Sequence, residues 1–250
     1  MLKIGIVGLG VVGQSMKKLF SPKFEILGYD KFLELQSNTK DAINGCDLVF
    51  ISVSTPTGDD GYSCDISAVE ECVSWITAPA CIRSTVTPGT TRRLSAKYPR
   101  LAFCPEHLRE TTWDKFENDF VIVGGEVSVR QLVISVFQTV LGANTKYMTT
   151  DPTTAELSKY MLNCYLATKV AFCNQFQDIA QHYGVDYNEL RELWLLDKRI
   201  GRSHTMVTEE RGFGGKCLPK DLRAIISENP EANILQAVND YNDLVRDTTC

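Results

Sequence analysis

No apolar run in this 250-residue chain approaches the roughly 20 consecutive positions that a membrane-spanning helix needs. Histidine is scarce: His107, His182 and His204 are scattered, none at metal-ligand spacing, and they read as surface or satisfied core residues. The nine cysteines are odd in number and contain no CxxC pair, so neither a zinc pattern nor a disulfide framework is evident. No metal site is expected. An excess of positive charge is also missing, since 26 Lys and Arg face 31 Asp and Glu for a net charge of −5. Phosphate-backbone recognition wants clustered cations, so nucleic acid is not an expected partner, and neither is a membrane. Repeats and low-complexity tracts are lacking, and LKIGIV follows Met1 at once, leaving no room for a signal or transit peptide. These absences fit a reduced, cytoplasmic setting in which most cysteines are small buried hydrophobes.

What is present is an ordinary globular composition, 44% apolar and 23% charged, on a chain long enough for one large domain or two smaller ones. LKIGIV (2–7) reads as a buried strand, GLGVVG (8–13) as a glycine turn opening a helix that runs to Phe20, and FEILGY (24–29) as a second strand ending at Asp30. Gly8 allows the tight turn, Gly10 lets a backbone approach a pyrophosphate, and Gly13 lets helix and strand pack closely. The helix start at Val11 and Val12 offers free N–H groups and a favourable dipole to the phosphates. Asp30, twenty residues after Gly10, is placed to accept from ribose hydroxyls and to repel a 2′-phosphate, which favours NAD over NADP. Lys31 beside it tempers that preference.

CDLVFISV (46–53), ACIRSTV (80–86), RLAFC (100–104) and FVIVG (120–124) are further β-branched runs separated by helical or polar segments. They predict parallel strands joined by crossovers, an α/β fold with a Rossmann-type doubly wound sheet. The loops STPTGDDG (54–61), TPGT (87–90) and PEHLRE (105–110) then gather at the carboxyl edge, where ligands bind. VRQLVISVFQTVL (129–141) reads as an amphipathic helix closed by Gly142. After residue 150 the period becomes helical, from about Ala155 to Tyr183, with Thr153 and Glu156 spaced as a capping box and Gly184 as the terminating glycine. VDYNELRELWLL (185–196) reads as another helix. The expected organisation is a dinucleotide-binding domain over 1–150 and a small helical domain over 151–250.

The chemical centre of the sequence is RGFGGKCLPKDL (211–222). Two glycines before Lys216 and Cys217 give freedom for close approach, and Pro219 stiffens the turn that follows. Lys216, Lys220 and a helix beginning near Asp221 would favour the thiolate, the reactive form of cysteine. Cys217 could equally be one more structural cysteine. Lys159 and Asn163 lie four apart and share a helix face, although a lysine among Leu157, Met161 and Leu162 can simply snorkel. Glu106 and Glu110 are also four apart and could be a solvated helix start.

GLGVVG with Asp30, STPT, STVTPGT, PEHLRE, AELSKYMLNCYLATKVAFCNQ, DKRIG and GFGGKCLPKD occur in the order seen in nucleotide-sugar dehydrogenases, and the chain resembles the UDP-glucose/GDP-mannose 6-dehydrogenase family over essentially its whole length. The resemblance implies an NAD-binding Rossmann domain followed by a helical domain through which such enzymes form homodimers. It matches Cys217 to the family nucleophile, Lys159, Asn163 and Asp221 to the polar cluster beside it, and Glu106 with Thr85 to the pair that positions the hydrolytic water. Thr55, Thr85, Glu110 and Lys220 match positions facing the dinucleotide. Leu108, Arg109, Arg199 and Gly214, with Glu106, Lys159 and Asn163, match positions facing the sugar nucleotide. The implied reaction is NAD-dependent four-electron oxidation of the C6 alcohol to a carboxylate, UDP-glucose being the first candidate substrate.

The sequence departs from the family in three places. It stops soon after ILQAVNDYNDLVRD (234–247), where relatives continue into a third domain that holds much of the nucleotide, so a short form lacking that domain is expected. The stretch from Asp30 to Cys46 is short where family members usually carry a basic residue that reaches the cofactor; here Lys31 takes that part or no residue does. Cys104 precedes Pro105 where Asn or Ser is more usual. Rival readings are a GDP-mannose 6-dehydrogenase, a β-hydroxyacid dehydrogenase, which needs no cysteine, and a non-catalytic NAD- or sugar-nucleotide-binding module.

Overall fold

Alternation of apolar side chains in short strands dictates a sheet covered on both faces, and the computed structural model, which describes residues 1–33, 37–107 and 119–247, has that arrangement. Seven strands, β1 (Lys3–Val7), β2 (Glu25–Tyr29), β3 (Leu48–Ile51), β4 (Ala80–Ile82), β5 (Leu101–Phe103), β6 (Phe120–Gly125) and β7 (Lys146–Thr150), pair in the order β2-β1-β3-β4-β5-β6-β7. Between them lie α1 (Val11–Phe20), α2 (Lys40–Asn44), α3 (Ser67–Trp75), α4 (Thr90–Ser95) and α5 (Val127–Leu141). Ile4 and Ile6 of β1, Leu48 and Phe50 of β3 and Cys81 of β4 feed one core, centred on the Phe20, Phe50 and Phe137 rings. Those rings pack at centroid distances of 5.2–6.0 Å. The alternate residues Val7, Val49, Ile51 and Ile82 feed the other core, with Ile43 and Val69.

The parallel expectation holds for β1 to β5 and fails at FVIVG. β6 pairs antiparallel with β5, and β7, a strand the sequence reading missed, runs parallel to β6. KYMTT is mostly exposed and lacks the apolar run used to find strands, so its pairing comes from the neighbour rather than from its own pattern. The strand from 80 ends early, at Ile82, because Arg83 and Ser84 both turn their N–H groups to the Ile51 carbonyl.

The long helix α6 spans Pro152–His182. Its start corrects the capping box: Asp151 caps the Thr154 N–H at 3.1 Å, Thr153 lies inside the helix, and the buried Glu156 carboxylate accepts from Gly89 N (2.6 Å) and Thr91 N (2.8 Å) at the start of α4. Burial raises the Glu156 pKa, and those donors oppose the rise. Compact units divide within this helix, one comprising 1–56 and 65–159, the other 57–64 and 160–250.

The second unit is helical. α7 (Tyr187–Trp194) is capped by Asp186, α8 spans Leu218–Glu228 and α9 spans Asn233–Asp247. Gly184 (φ 64°) ends α6 as its position implied. Cys173, Ala180 and Tyr187 form a small core with Leu190 and Trp194, and residues 57–64 contribute a two-stranded bridge between Thr57 and Cys64.

Candidate active site

In the first unit, Gly8 takes φ 88°, and a Cβ there would lie 2.5 Å from the Ser52 carbonyl oxygen. A Cβ on Gly10 would meet nothing within 4 Å, so the backbone there borders open space. That space is a cleft of about 230 Å³ lined by Gly8, Gly10, Asp30, Lys31, Glu71 and Trp75 among others. Asp30 is held at its mouth: Oδ2 accepts from Leu9 N (2.8 Å) and Oδ1 from Phe32 N (2.9 Å), which fixes the carboxylate plane. A glycine turn at a helix start with a fixed carboxylate one strand away fits an adenosine diphosphate moiety. Lys31 is held by Glu71 (Nζ to Oε2 2.9 Å), which raises its pKa and lowers that of Glu71. Val11 is exposed, Val12 half-buried and Thr55 buried.

At the ends of β4 and β5 the sequence put an arginine in an apolar run, and the fold buries it. Arg83 is 2% exposed. One terminal nitrogen donates to the Cys104 carbonyl (3.0 Å), the Pro105 carbonyl (3.0 Å) and Cys104 Sγ (2.8 Å). The other meets Glu106 Oε2 at 2.5 Å. Burial alone would lower the guanidinium pKa, but the charges of Cys104 and Glu106 more than reverse that. For the Cys104 thiol burial acts upward, yet the hydrogen bond with Cys81 and the Arg83 charge carry it below its ordinary value. The Cys104 sulfur serves as an acceptor for the buried guanidinium, a part that an Asn or Ser oxygen could also play, so the structure does not explain the cysteine itself.

His107 corrects the expectation of a surface or satisfied imidazole. Both ring nitrogens are buried with no hydrogen-bond partner among the described residues, and burial, helped by the charges of Lys159 and Arg83, lowers its pKa to about 3. The ring lies 5.0 Å from that of Phe120. Lys159 is buried, and Thr85 half-buried. Leu108, Arg109 and Glu110 lie outside the described residues.

In the second unit Asp221 is 1% exposed in the first turn of α8. Its Oδ2 accepts from Asn163 Nδ2 at 2.6 Å and its Oδ1 lies 2.7 Å from Lys220 Nζ, so three of the singled-out side chains converge there. The Asp221 charge, after burial, pushes the neighbouring Cys164 thiol up to about 12. Cys217 is the N-cap residue of α8, and its carbonyl accepts from Asp221 N at 2.9 Å. It is exposed and not disulfide-bonded, whereas Cys46, Cys64, Cys72, Cys81, Cys104, Cys164 and Cys173 are buried.

The glycine loop before Cys217 is tied down at two amides. Gly212 N donates to Asn174 Oδ1 (2.9 Å) and Phe213 N to Asn242 Oδ1 (2.6 Å). Gly214 is exposed with the Arg246 guanidinium against it. Arg199 is exposed and forks onto Asp197 two residues away. Sequence reasoning missed Arg83, Asn174 and Asn242; the one available signal was a charge inside ACIRSTV. Among the described residues no group of His, Cys, Asp and Glu is placed to hold a metal, and no helix is long and apolar enough to cross a membrane.

Residues 25–141 match the NAD binding domain of the UDP-glucose/GDP-mannose dehydrogenase family, and residues 153–244 match its central domain. The chain is similar to UDP-glucose 6-dehydrogenase of Pseudomonas aeruginosa, at 32% identity over 90% of this chain and 55% of the relative. It is 31% identical to that of Rickettsia prowazekii over 86% of this chain and 52% of the relative. Among solved structures it is similar to a UDP-glucose dehydrogenase from Pyrobaculum islandicum, with TM-score 0.85, 26% identity and coverage of 99% of this chain and 68% of that one. The chain spans about half the length of these curated relatives. It belongs to the UDP-glucose/GDP-mannose dehydrogenase family.

Proposed function

Starting from that membership, we propose that this chain binds NAD beside Gly8, Gly10, Val11, Val12, Gly13 and Asp30 and oxidises the C6 primary alcohol of a nucleotide sugar to the carboxylate, with UDP-glucose to UDP-glucuronate as the first candidate pair. Two equivalents of bound NAD⁺ would accept the two hydrides, so the alcohol, two NAD⁺ and water yield the carboxylate, two NADH and three protons. The observation that carries this reading is the Asp221 carboxylate, removed from water and held by Asn163 and Lys220 one turn into the helix that Cys217 opens. A buried charge of this kind is costly unless donors surround it, and such clusters gather at functional sites.

In this reading Cys217 takes the aldehyde as a thiohemiacetal, and after the second oxidation it holds a thioester. Lys159 and Asn163 stabilise the oxyanion, a contribution of about 3–4 kcal/mol for one preorganised donor. Asp221 activates the water that Glu106 and Thr85 position. Thr55, Glu110 and Lys220 face the dinucleotide, and Leu108, Arg109, Arg199 and Gly214 the sugar nucleotide. A homodimer in a cytoplasmic setting completes the reading, the dimer being supported by the exposed Met161, Tyr165 and Phe172 on α6.

The test is NADH formed per UDP-glucose consumed, wild type beside Cys217→Ala. Two NADH per sugar in the wild type, lost in the variant, supports the double oxidation. Turnover with GDP-mannose instead reassigns the sugar. Full turnover in Cys217→Ser points to a β-hydroxyacid-dehydrogenase-like reaction, and NAD binding without turnover on any sugar to a binding module.

A further inference from the structure

We propose that Arg83 is a positioning residue for the hydrolytic half of this reaction, acting through Glu106. The inference rests on the reading above and adds a residue to it. Its basis is how completely the guanidinium is fixed before it reaches the carboxylate. Strand β5 ends at Phe103, so the Cys104 and Pro105 carbonyls have left the ladder and need donors. One Arg83 nitrogen supplies both, each at 3.0 Å, and meets Cys104 Sγ at 2.8 Å. The Phe137 ring lies 5.5 Å from the guanidinium carbon. The second nitrogen then meets Glu106 Oε2 at 2.5 Å.

Because the guanidinium is planar and its first nitrogen is committed to the backbone, the direction in which the second points is set. The turn at 104–105 thereby aims the Glu106 carboxylate, and engaging Oε2 fixes the plane in which Oε1 lies. A lysine keeps the charge but offers one nitrogen, which cannot hold both carbonyls and the carboxylate in that geometry. The step concerned transfers no electrons. The water oxygen bonds to the thioester carbonyl carbon, the C–S bond breaks, sulfur leaves as thiolate, and the water protons pass through nearby bases to solvent. In the reading above the chemical role of Glu106 lies with the hydrolytic water, so a misaimed carboxylate weighs on hydrolysis more than on hydride transfer.

The experiment follows single turnovers of the holoenzyme in wild type, Arg83→Lys, Arg83→Met, Glu106→Gln and the Arg83→Met/Glu106→Gln double variant, with NADH absorbance and intact mass read together. The expected result is a first NADH burst within about twofold of wild type in Arg83→Lys and a hydrolysis slowed up to about 10²-fold, the scale of a misaimed group. A sugar adduct on Cys217 then accumulates. The double variant, which removes both charges and so guards against a misfolded single variant, hydrolyses no slower than Glu106→Gln alone. Equal slowing of burst and hydrolysis with no adduct, or additive slowing in the double variant, overturns the proposal. A wild type that fails to form two NADH per sugar overturns the functional reading itself, which separates the two failures.

Discussion

Two ion pairs in the dinucleotide-binding unit join the same kinds of group in opposite settings. Arg83 and Glu106 have side chains 2% and 11% exposed, whereas Lys31 and Glu71 are 48% and 50% exposed. The first pair is locked by two backbone carbonyls and a sulfur, and the second has only an exposed ring beside it, Phe32 at 5.4 Å from the ammonium. Burial makes the difference between an interaction that fixes geometry and one that adjusts local charge. In water the attraction is screened, and two long side chains give up freedom to meet; inside, a charge without water depends on the protein groups around it.

The largest expected effect therefore falls on the buried pair. Arg83→Met removes the cation that the buried Glu106 carboxylate faces, and should cost about 3–5 kcal/mol in urea unfolding. Adding Glu106→Gln should recover most of that loss. An unchanged midpoint in the single variant would mean that water reaches the carboxylate and that the contrast with Lys31 is false. Asn163→Ala sits next, because Asp221 keeps Lys220 but loses its amide donor; the expected loss is about 1–3 kcal/mol by thermal unfolding.

His107 sharpens the comparison from the side of a neutral base. Its folded pKa of about 3 lies below the ordinary histidine value, so below that ordinary value the unfolded chain binds the proton and the folded chain does not. Stability from this group is present above about pH 6.5 and falls as the pH drops toward 3, by at most about 1.4 kcal/mol per pH unit. His107→Phe should flatten that acid limb; an identical pH profile in the variant would show that the ring is hydrated. The smallest effect belongs to Glu71→Gln. Unfolding should not move, but Lys31 is released toward the ribose, and calorimetric affinity for NADPH relative to NADH should rise roughly fivefold, the scale of one exposed charge pair. A ratio unchanged by the substitution would leave cofactor choice to Asp30 alone.

Much of the fold was legible in the sequence because period and glycine spacing are local signals. GLGVVG, the strands flanking it and the glycine that ends the long helix could be read from neighbours a few residues away. The reversed β6 and the strand β7 could not, since KYMTT pairs through its backbone while its side chains carry no pattern. The capping box failed for a related reason: Glu156 has the right spacing for its own helix but finds better donors at Gly89 and Thr91, more than sixty residues earlier. In the candidate site, Asn163 and Asp221 meet across 58 positions, and Arg83 and Glu106 across 23. Resemblance could nominate Asn163, Asp221 and Glu106, but the pairings of these four residues emerge only from the folded chain.

Trp75 borders the cleft beside Gly8 and Asp30, proposed above to take the dinucleotide, with the Tyr29 ring edge-on at 5.4 Å and the Lys40 ammonium 4.9 Å from its ring centre. An indole so placed is an optical gauge built into the cleft. Its emission should shift with the polarity and stacking that an adenine would bring. With three tryptophans in the chain, Trp75→Phe supplies the blank, and filling of the cleft can be followed by light alone, with no sugar present and no turnover required.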